Sequence, residues 1–326
     1  MVLPIKPPMW PQRTSWTVII SGRLTAVLVL TISLCVTQVV AQGTTTARAI
    51  QVGGHQRTFR VHIPSARRTA PVPLVFALHG GGSTGTQMER FVTFSALADR
   101  YGFIVVYPDA IDRNWNDGRD AGSIRTQREG IDDVAFFSAM LERLSKEFRV
   151  DPNRVYATGI SNGGFMSQLL VVRLSDRIAA IAAVAAGMAP AVAENFHPRE
   201  PVSVLIINGT EDRLVPYRGG DVARNRGKTI AADEIIKKWA RRNRCTKGPA
   251  TASLRDVDAS DGTRVIQTTY TQCARGTEVV LYTIEGGGHT WPGGSQYLPR
   301  AIVGRVSRDL DATSVIWEFF TRHPRQ

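Results

Sequence analysis

After about residue 50, apolar and polar positions follow two alternating patterns, which predict strands and helices in turn. Residues 58–63 alternate every second position, which indicates a half-buried strand at the edge of a sheet, whereas residues 74–78 form the continuous apolar run typical of a strand buried on both faces. Residues 132–148 space apolar side chains as an amphipathic helix does. We interpret the leading Asp132 and Asp133 as helix-capping residues rather than a catalytic carboxylate pair.

The same alternation continues to the end of the chain. Further strands are predicted at 103–107, 155–160, 178–186, 202–207, 264–271 and 278–284, and further helices at 91–100, 165–172, 229–242 and 311–322. Such an order predicts an α/β fold, with a mostly parallel sheet of about eight strands and about six helices covering both faces. In open sheets of this class the reactive groups lie in loops beyond the carboxyl ends of the strands.

The first 41 residues differ from the rest of the chain. Three basic residues and no acidic one accompany an apolar run at 24–40, which predicts a signal peptide cleaved after Ala41 and a secreted or periplasmic protein. A retained anchor is less favoured because polar residues interrupt a short run. A lipoprotein modified at Cys35 is less favoured because the residue before it is a large leucine. We expect residues 42–326 to form a single domain.

Charge and cysteine content further limit the kinds of protein that this chain can be. The formal charge of +12 falls to +9 without the leader, but the basic residues are scattered and lack an aromatic-rich basic motif, so we do not expect nucleic-acid binding. The densest basic cluster, at 237–244, is typical of the solvated face of an amphipathic helix. Only Cys245 and Cys273 follow the leader, which suggests a disulfide in an exported chain. Their surroundings do not support a metal site.

Residues 155–164 contain the strongest chemical signal. The predicted strand ends in the sequence Gly159-Ile160-Ser161-Asn162-Gly163, and a helical apolar run follows. Glycines on both sides of Ser161 permit a strained turn that lifts its hydroxyl clear of the sheet. The N-terminus of the following helix offers unpaired N–H groups to negative charge that forms there. By itself the motif leaves open a glycine-rich turn with an incidental serine.

Two later strand ends supply partners for Ser161. Asp212 follows the strand at 202–207, and His289 lies in a glycine-rich loop after the strand at 278–284. A serine nucleophile needs an imidazole to take its proton and a carboxylate to orient that imidazole. Serine, aspartate and histidine follow each other here in the order of an α/β-hydrolase fold. We prefer Asp212 to its neighbour Glu211 because the residues after it would fix the turn, but spacing leaves Glu211 open.

Binding groups are expected around this nucleophile. Residues 79–82, His-Gly-Gly-Gly, follow a buried strand at the place from which an oxyanion donor usually comes. We expect the N–H groups of Gly81 and Asn162 to stabilise the developing oxyanion. Trp115, in the segment 114–118, and Trp291, two residues beyond His289, are expected to line the substrate pocket, and the alternative for each is a surface aromatic residue.

With these residues assembled, the chain resembles a family of secreted esterases that includes polyhydroxybutyrate depolymerase catalytic domains and feruloyl or acetylxylan esterases. The resemblance covers about residue 50 to the end and rests on the segments 79–82, 115–117, 159–164, 209–217 and 286–294. It implies hydrolysis of carboxylic esters by a Ser161, Asp212 and His289 triad, and it fits the Cys245–Cys273 disulfide. Members that attack solid polyester often carry a further polymer-binding domain, which we do not recognise here.

These observations predict a secreted serine esterase that works through an acyl-enzyme and requires no cofactor or metal. The expected substrate is a hydroxyalkanoate ester, and the alternative is a feruloyl or acetylated plant polysaccharide ester. A peptidase of the same fold would need an added lid or propeller domain. An inactive hydrolase-fold binding module is the alternative from another class, and the presence of all three triad residues argues against it. We expect no stable membrane insertion after leader removal, and the sequence is silent on oligomeric state.

Overall fold

The structure, a computed structural model, describes residues 42–65 and 70–326. The predicted signal peptide at 1–41 lies outside the described residues, so its cleavage after Ala41 stays a prediction. The strands of the described part are β1 (Thr44–Val52), β2 (His55–Ile63), β3 (Val72–Leu78), β4 (Ile104–Pro108), β5 (Val150–Ile160), β6 (Ala180–Val184), β7 (Ser203–Gly209), β8 (Gly220–Asp221), β9 (Lys228–Thr229), β10 (Lys247–Ser253), β11 (Arg264–Thr271) and β12 (Val279–Glu285).

The helices lie between these strands and after the last one. They are α1 (Gly85–Phe91), α2 (Phe94–Tyr101), α3 (Arg125–Arg128), α4 (Asp133–Glu147), α5 (Asn162–Arg173), α6 (Pro190–Glu194), α7 (Ala232–Arg242), α8 (Arg300–Val303) and α9 (Ala312–Arg322). Asp132 caps α4 by accepting a hydrogen bond from the Ala135 N–H at 2.8 Å, as expected of a capping residue.

One large sheet organises the described residues, with the strand order β1-β2-β4-β3-β5-β6-β7-β12-β11-β10. The six strands from β4 to β12 in this order pair in parallel, and antiparallel strands extend the sheet at both edges. The α/β-hydrolase prediction is confirmed. Because β5, β7 and β12 are parallel, the loops that follow them leave the same edge of the sheet.

The predicted strand count of about eight is wrong, since the main sheet has ten strands and β8 and β9 form a separate pair within the described residues. Sequence patterning missed β1 and β10 because they are the edge strands. Every residue of β10 is exposed, so it lacks the apolar alternation of a half-buried strand. The strand expected at the edge, now β2, pairs with β1 on one side and β4 on the other.

Side chains that alternate along the central strands bury two cores, one on each face of the sheet. In β3, Leu74 and Phe76 face one core, whereas Val75 and Ala77 face the other. The helices α4, α5 and α7 cover the first core, and α1, α2 and α9 cover the second. Burial on both faces explains why the central strands are continuous apolar runs in the sequence.

Two further predictions concern the periphery of the fold. Cys245 and Cys273 form the expected disulfide, which ties the end of α7 to the end of β11. No helix in the described part of the chain has the length and apolarity needed to cross a membrane.

Candidate active site

The turn between β5 and α5 holds Ser161 in a strained conformation. Its φ of 55° and ψ of −123° lie in a region that residues with a Cβ rarely adopt. A Cβ added at Gly159 would lie 2.6 Å from the carbonyl carbon of Gly163, and one added at Gly163 would lie 2.4 Å from the Leu78 oxygen. The Ser161 N–H donates to the Val184 carbonyl of β6 at 2.9 Å. The flanking glycines therefore permit the turn that presents the serine.

The loops after β7 and β12 bring together a buried carboxylate and an imidazole. His289 Nδ1 donates a hydrogen bond to Asp212 Oδ2 at 2.7 Å, and the two side chains are only 4% and 2% exposed. The other carboxylate oxygen, Oδ1, accepts from the N–H groups of Leu214 and Val215, both at 2.8 Å. Both oxygens are thus occupied, which fixes the orientation of the carboxylate and of the ring.

The alternative carboxylate, Glu211, is exposed and lies 3.7 Å from the Arg305 guanidinium. The structure brings Asp212, and not Glu211, to the histidine.

A glycine at position 209 explains how closely the loops after β7 and β12 approach each other. A Cβ at Gly209 would lie 2.2 Å from the Gly287 oxygen, so a larger residue there would push the β7 loop away from the β12 loop.

Ser161 and His289 line the same cavity of about 420 Å³. This volume suits a small organic ligand. Among the described residues no hydrogen bond joins the Ser161 hydroxyl to the imidazole. Hydrogen bonds between catalytic groups are often long in unliganded enzymes and tighten once substrate is bound. The structure therefore places the predicted serine and histidine at one cavity, with the predicted aspartate bonded to the histidine behind it.

The loop at residues 79–82 passes directly beside Ser161. A Cβ added at Gly80 would lie 3.5 Å from the Ser161 Cβ, and Gly81 lines the cavity. Behind the loop, fully buried His79 donates from Nδ1 to the Gly80 oxygen at 2.8 Å and accepts the Ala110 N–H at Nε2 at 3.1 Å. Burial lowers the pKa of His79, which favours the neutral ring that this pair of bonds requires.

Asn162, predicted to supply a backbone N–H, also has a role for its side chain that the sequence did not reveal. Its Oδ1 accepts from the Trp115 N–H at 2.7 Å, and its Nδ2 donates to Asp117 Oδ2 at 2.6 Å. The side chain is buried, so these bonds tie the start of α5 to the segment at 115–117. The side chain of the residue after Ser161 is thereby fixed in position.

The two tryptophans do not line the cavity, which corrects the expectation that they contact substrate. Trp115 is 0% exposed and donates its indole N–H to the His79 oxygen at 3.0 Å. Trp291 is 1% exposed and donates to Thr313 Oγ1 at 3.0 Å. Both indoles lie in the core because burial removes their large apolar surface from water, while the single N–H of each ring still has a hydrogen-bond acceptor. Trp115 therefore packs against the loop at 79–82, and Trp291 ties the loop that carries His289 to α9.

The apolar wall of the cavity comes instead from residues that sequence patterning did not identify. Phe91 at the end of α1 packs edge-to-face on Tyr297 at 5.4 Å, and Leu298 and Ile302 extend this wall. The Tyr297 hydroxyl donates to the His289 carbonyl at 2.9 Å, and burial raises the pKa of the phenol so that it keeps this proton. The residues at 297–302 lie in a loop and a short helix, which offer no periodic signal.

Three arginines also line the cavity, namely Arg119, Arg224 and Arg226. Arg119 forms a buried ion pair with Asp117 at 2.8 Å. Arg119 lies more than a hundred positions before Arg224 and Arg226, and nothing in the local sequence marks it as their neighbour. Within the described residues no group of three or more His, Cys, Asp or Glu side chains is placed to hold a metal ion.

Comparison with known proteins identifies relatives over most of the chain. A family model described as esterase PHB depolymerase matches residues 58–196. The putative esterase NocK of Nocardia uniformis subsp. tsuyamanensis is 32% identical over 97% of this chain and 92% of its own length. The poly(3-hydroxyalkanoate) depolymerase C of Paucimonas lemoignei is 34% identical over 41% of this chain and 32% of its own length.

Other similar proteins carry different substrate names. The feruloyl esterase B of Piromyces equi is 31% identical over 67% of this chain, which spans only 39% of that protein. Among solved structures, an acetyl xylan esterase from Aspergillus awamori superposes with a TM-score of 0.56, covering 85% of this chain and 99% of that one at 14% identity. At that identity the likeness concerns the fold alone.

Proposed function

The chain belongs to the esterase PHB depolymerase family and is a carboxylic ester hydrolase, and we propose that it works through an acyl-enzyme formed on Ser161. The observation that carries this proposal is the buried 2.7 Å hydrogen bond that His289 donates to Asp212, since His289 lines the same cavity as the strained Ser161. A nucleophile, a base and an orienting carboxylate are the three groups that this chemistry requires.

The acylation step follows from these positions. Ser161 Oγ attacks the ester carbonyl carbon while His289 Nε2 takes its proton, and the negative charge moves to the carbonyl oxygen. Asp212 holds the proton on Nδ1, so that Nε2 is free to accept, and it stabilises the imidazolium that forms. When the tetrahedral intermediate collapses, the bond to the alcohol oxygen breaks and Nε2 returns the proton to the departing alcohol.

Deacylation uses the same groups with water as the nucleophile. His289 takes a proton from the water as its oxygen attacks the acyl carbon, and the acid leaves as Ser161 regains its proton. In both steps the N–H groups of Gly81 and Asn162 are the proposed oxyanion donors. A donor of this kind contributes about 100- to 1,000-fold in rate.

The proposed substrate class is a hydroxyalkanoate ester, as for the depolymerase among the relatives, and the mostly apolar wall of the cavity supports it. A feruloyl or acetylxylan ester is the alternative suggested by other relatives. We also propose that the protein is exported, since it carries a predicted leader and its disulfide suits an oxidising compartment.

The Ser161→Ala variant tests the acyl-enzyme directly. Hydrolysis of p-nitrophenyl butyrate should fall by at least about 10⁴-fold with a nearly unchanged thermal melt, because the methyl group keeps the packing while the nucleophile is lost. Ser83 also lines the cavity, so Ser83→Ala is the matched control and should retain most of the activity. A fluorophosphonate probe should label wild type on the peptide that contains Ser161. Activity that survives in Ser161→Ala would refute the assignment.

The substrate class is tested separately on wild-type protein. Hydrolysis of hydroxybutyrate oligomers, methyl ferulate and acetylated xylan should be compared side by side as kcat/KM. We expect the oligomers to give the highest value. A higher value for methyl ferulate or acetylated xylan would replace the proposed substrate while leaving the acyl-enzyme intact.

A further inference from the structure

The three arginines that line the cavity differ in how their charge is compensated. Arg119 bonds to both carboxylate oxygens of Asp117 and lies over the Phe165 ring at 4.2 Å. Arg224 is exposed and Arg226 is half-buried, and neither guanidinium forms a hydrogen bond or ion pair with another described residue. No Asp or Glu side chain lines the cavity in the described part of the chain. The cavity therefore carries positive charge without an anion to balance it.

Arg226 is the arginine placed beside the reacting groups. Its Nη1 lies 2.5 Å from the position that a Cβ on Gly81 would take, so the guanidinium rests against the proposed oxyanion loop. The adjacent Gly80 approaches Ser161, and Arg226 and Ser161 line the same cavity. Burial, followed by the nearby Arg119 and Arg224 charges, lowers the pKa of Arg226. An anion bound to the guanidinium would offset both the burial and the repulsion from the other two arginines.

We propose that Arg226 binds a free carboxylate on the substrate, close to the scissile bond, so that the enzyme selects esters that carry such a group. The inference rests on the proposed hydrolysis at Ser161. The planar guanidinium fork matches a carboxylate with two parallel hydrogen bonds, and burial strengthens the attraction. An ester of a hydroxy acid with a free carboxyl end has the required chemistry, because hydrolysis of its last bond releases an alcohol that bears the carboxylate.

The test compares two substrates of nearly the same shape, the linear dimer of 3-hydroxybutyrate and its terminal carboxamide. Release of the products is followed by chromatography. Wild type should have the higher kcat/KM for the free acid. In Arg226→Gln the ratio of the two kcat/KM values, acid over carboxamide, should fall by about 10- to 100-fold, as for loss of a hydrogen-bonded charge pair. Arg226→Lys keeps the charge and should retain part of the preference.

Arg218→Gln is the matched control, since Arg218 is an exposed residue of the same segment that does not line the cavity. It should leave the ratio unchanged. An equal loss on both dimers in Arg226→Gln, or a wild type without preference, would overturn the inference. Failure to cleave either dimer while p-nitrophenyl butyrate is still hydrolysed would also overturn it, yet would leave the proposed acyl-enzyme on Ser161 standing. A wild type that hydrolyses none of these esters would remove both.

Discussion

The Asp212→Asn variant tests how the site fixes the tautomer of His289. The surrounding backbone determines which atom of the new amide faces the imidazole. Asp212 Oδ1 accepts two N–H groups, from Leu214 and Val215, and Oδ2 accepts the ring of His289. In the variant, an amide nitrogen turned toward the two N–H groups would leave both unpaired and buried. Each unpaired group costs about 1–3 kcal/mol. The amide oxygen therefore stays on the backbone, and the amide nitrogen faces the imidazole.

This orientation puts a donor opposite His289 Nδ1, so Nδ1 must lose its hydrogen and accept. The ring proton then resides on Nε2, where it blocks transfer from Ser161. Loss of the tautomer and of the carboxylate charge together is expected to lower kcat by about 10⁴-fold, which corresponds to about 5.5 kcal/mol in the activation free energy. Thermal stability should change little because the variant keeps the shape and both backbone bonds.

The assay is steady-state hydrolysis of p-nitrophenyl butyrate, with thermal unfolding measured on the same preparations. The matched control is Glu211→Gln, which makes the same chemical change one residue earlier on an exposed side chain and should leave kcat unchanged. An Asp212→Asn enzyme that keeps a tenth or more of wild-type kcat would refute the reasoning about the tautomer.

Three other expectations concern stability. Gly163→Ala would place a Cβ 2.4 Å from the Leu78 oxygen and should destabilise the fold by about 1–3 kcal/mol; an unchanged thermal melt would contradict the claim of a tight turn. Breaking the disulfide with paired Cys245→Ser and Cys273→Ser changes should lower the unfolding free energy by about 3–4 kcal/mol for a separation of 28 residues, measured by urea titration. Esterase activity in the native state should survive, since neither cysteine lines the cavity. Burial lowers the pKa of His79 from 6.5, so the unfolded chain takes up its proton first and stability should fall as pH falls below about 6.5. Urea unfolding between about pH 7.5 and 5.5 measures this loss, and an equally steep loss in His79→Gln would assign it to other groups.

The sequence was sufficient for the parts of the molecule that depend on local signals. Glycine on both sides of Ser161 indicates a tight turn, and continuous apolar runs indicate strands buried on both faces. The central sheet and its reactive edge could therefore be predicted. The edge strand β10 could not, since its exposed residues carry no burial pattern. The choice between Asp212 and Glu211 needed the structure, because adjacent residues differ only in which one the turn directs inward.

Features that depend on contacts between distant segments were beyond sequence patterning. Trp115 is expected from the sequence to line the pocket, yet its indole N–H donates to the carbonyl of His79, 36 positions earlier, and the ring lies in the core. Arg119 and Arg226 are more than a hundred positions apart and meet only because both segments border the same cavity. No local pattern encodes either meeting.

Two different parts of the chain build the cavity. The reacting groups stand on turns anchored by the central parallel strands, whereas much of the surrounding wall comes from 214–226 and 297–302, outside the main sheet. Apart from Tyr297, whose hydroxyl bonds the His289 carbonyl, side chains in these two wall segments can change which ester fits while the Asp212–His289 hydrogen bond stays in place, because Leu214 and Val215 hold Asp212 through backbone N–H groups alone. Evolution can therefore change the substrate range of such an enzyme at little risk to its chemistry. For the same reason, a mutant library aimed at new substrates can be confined to these two wall segments.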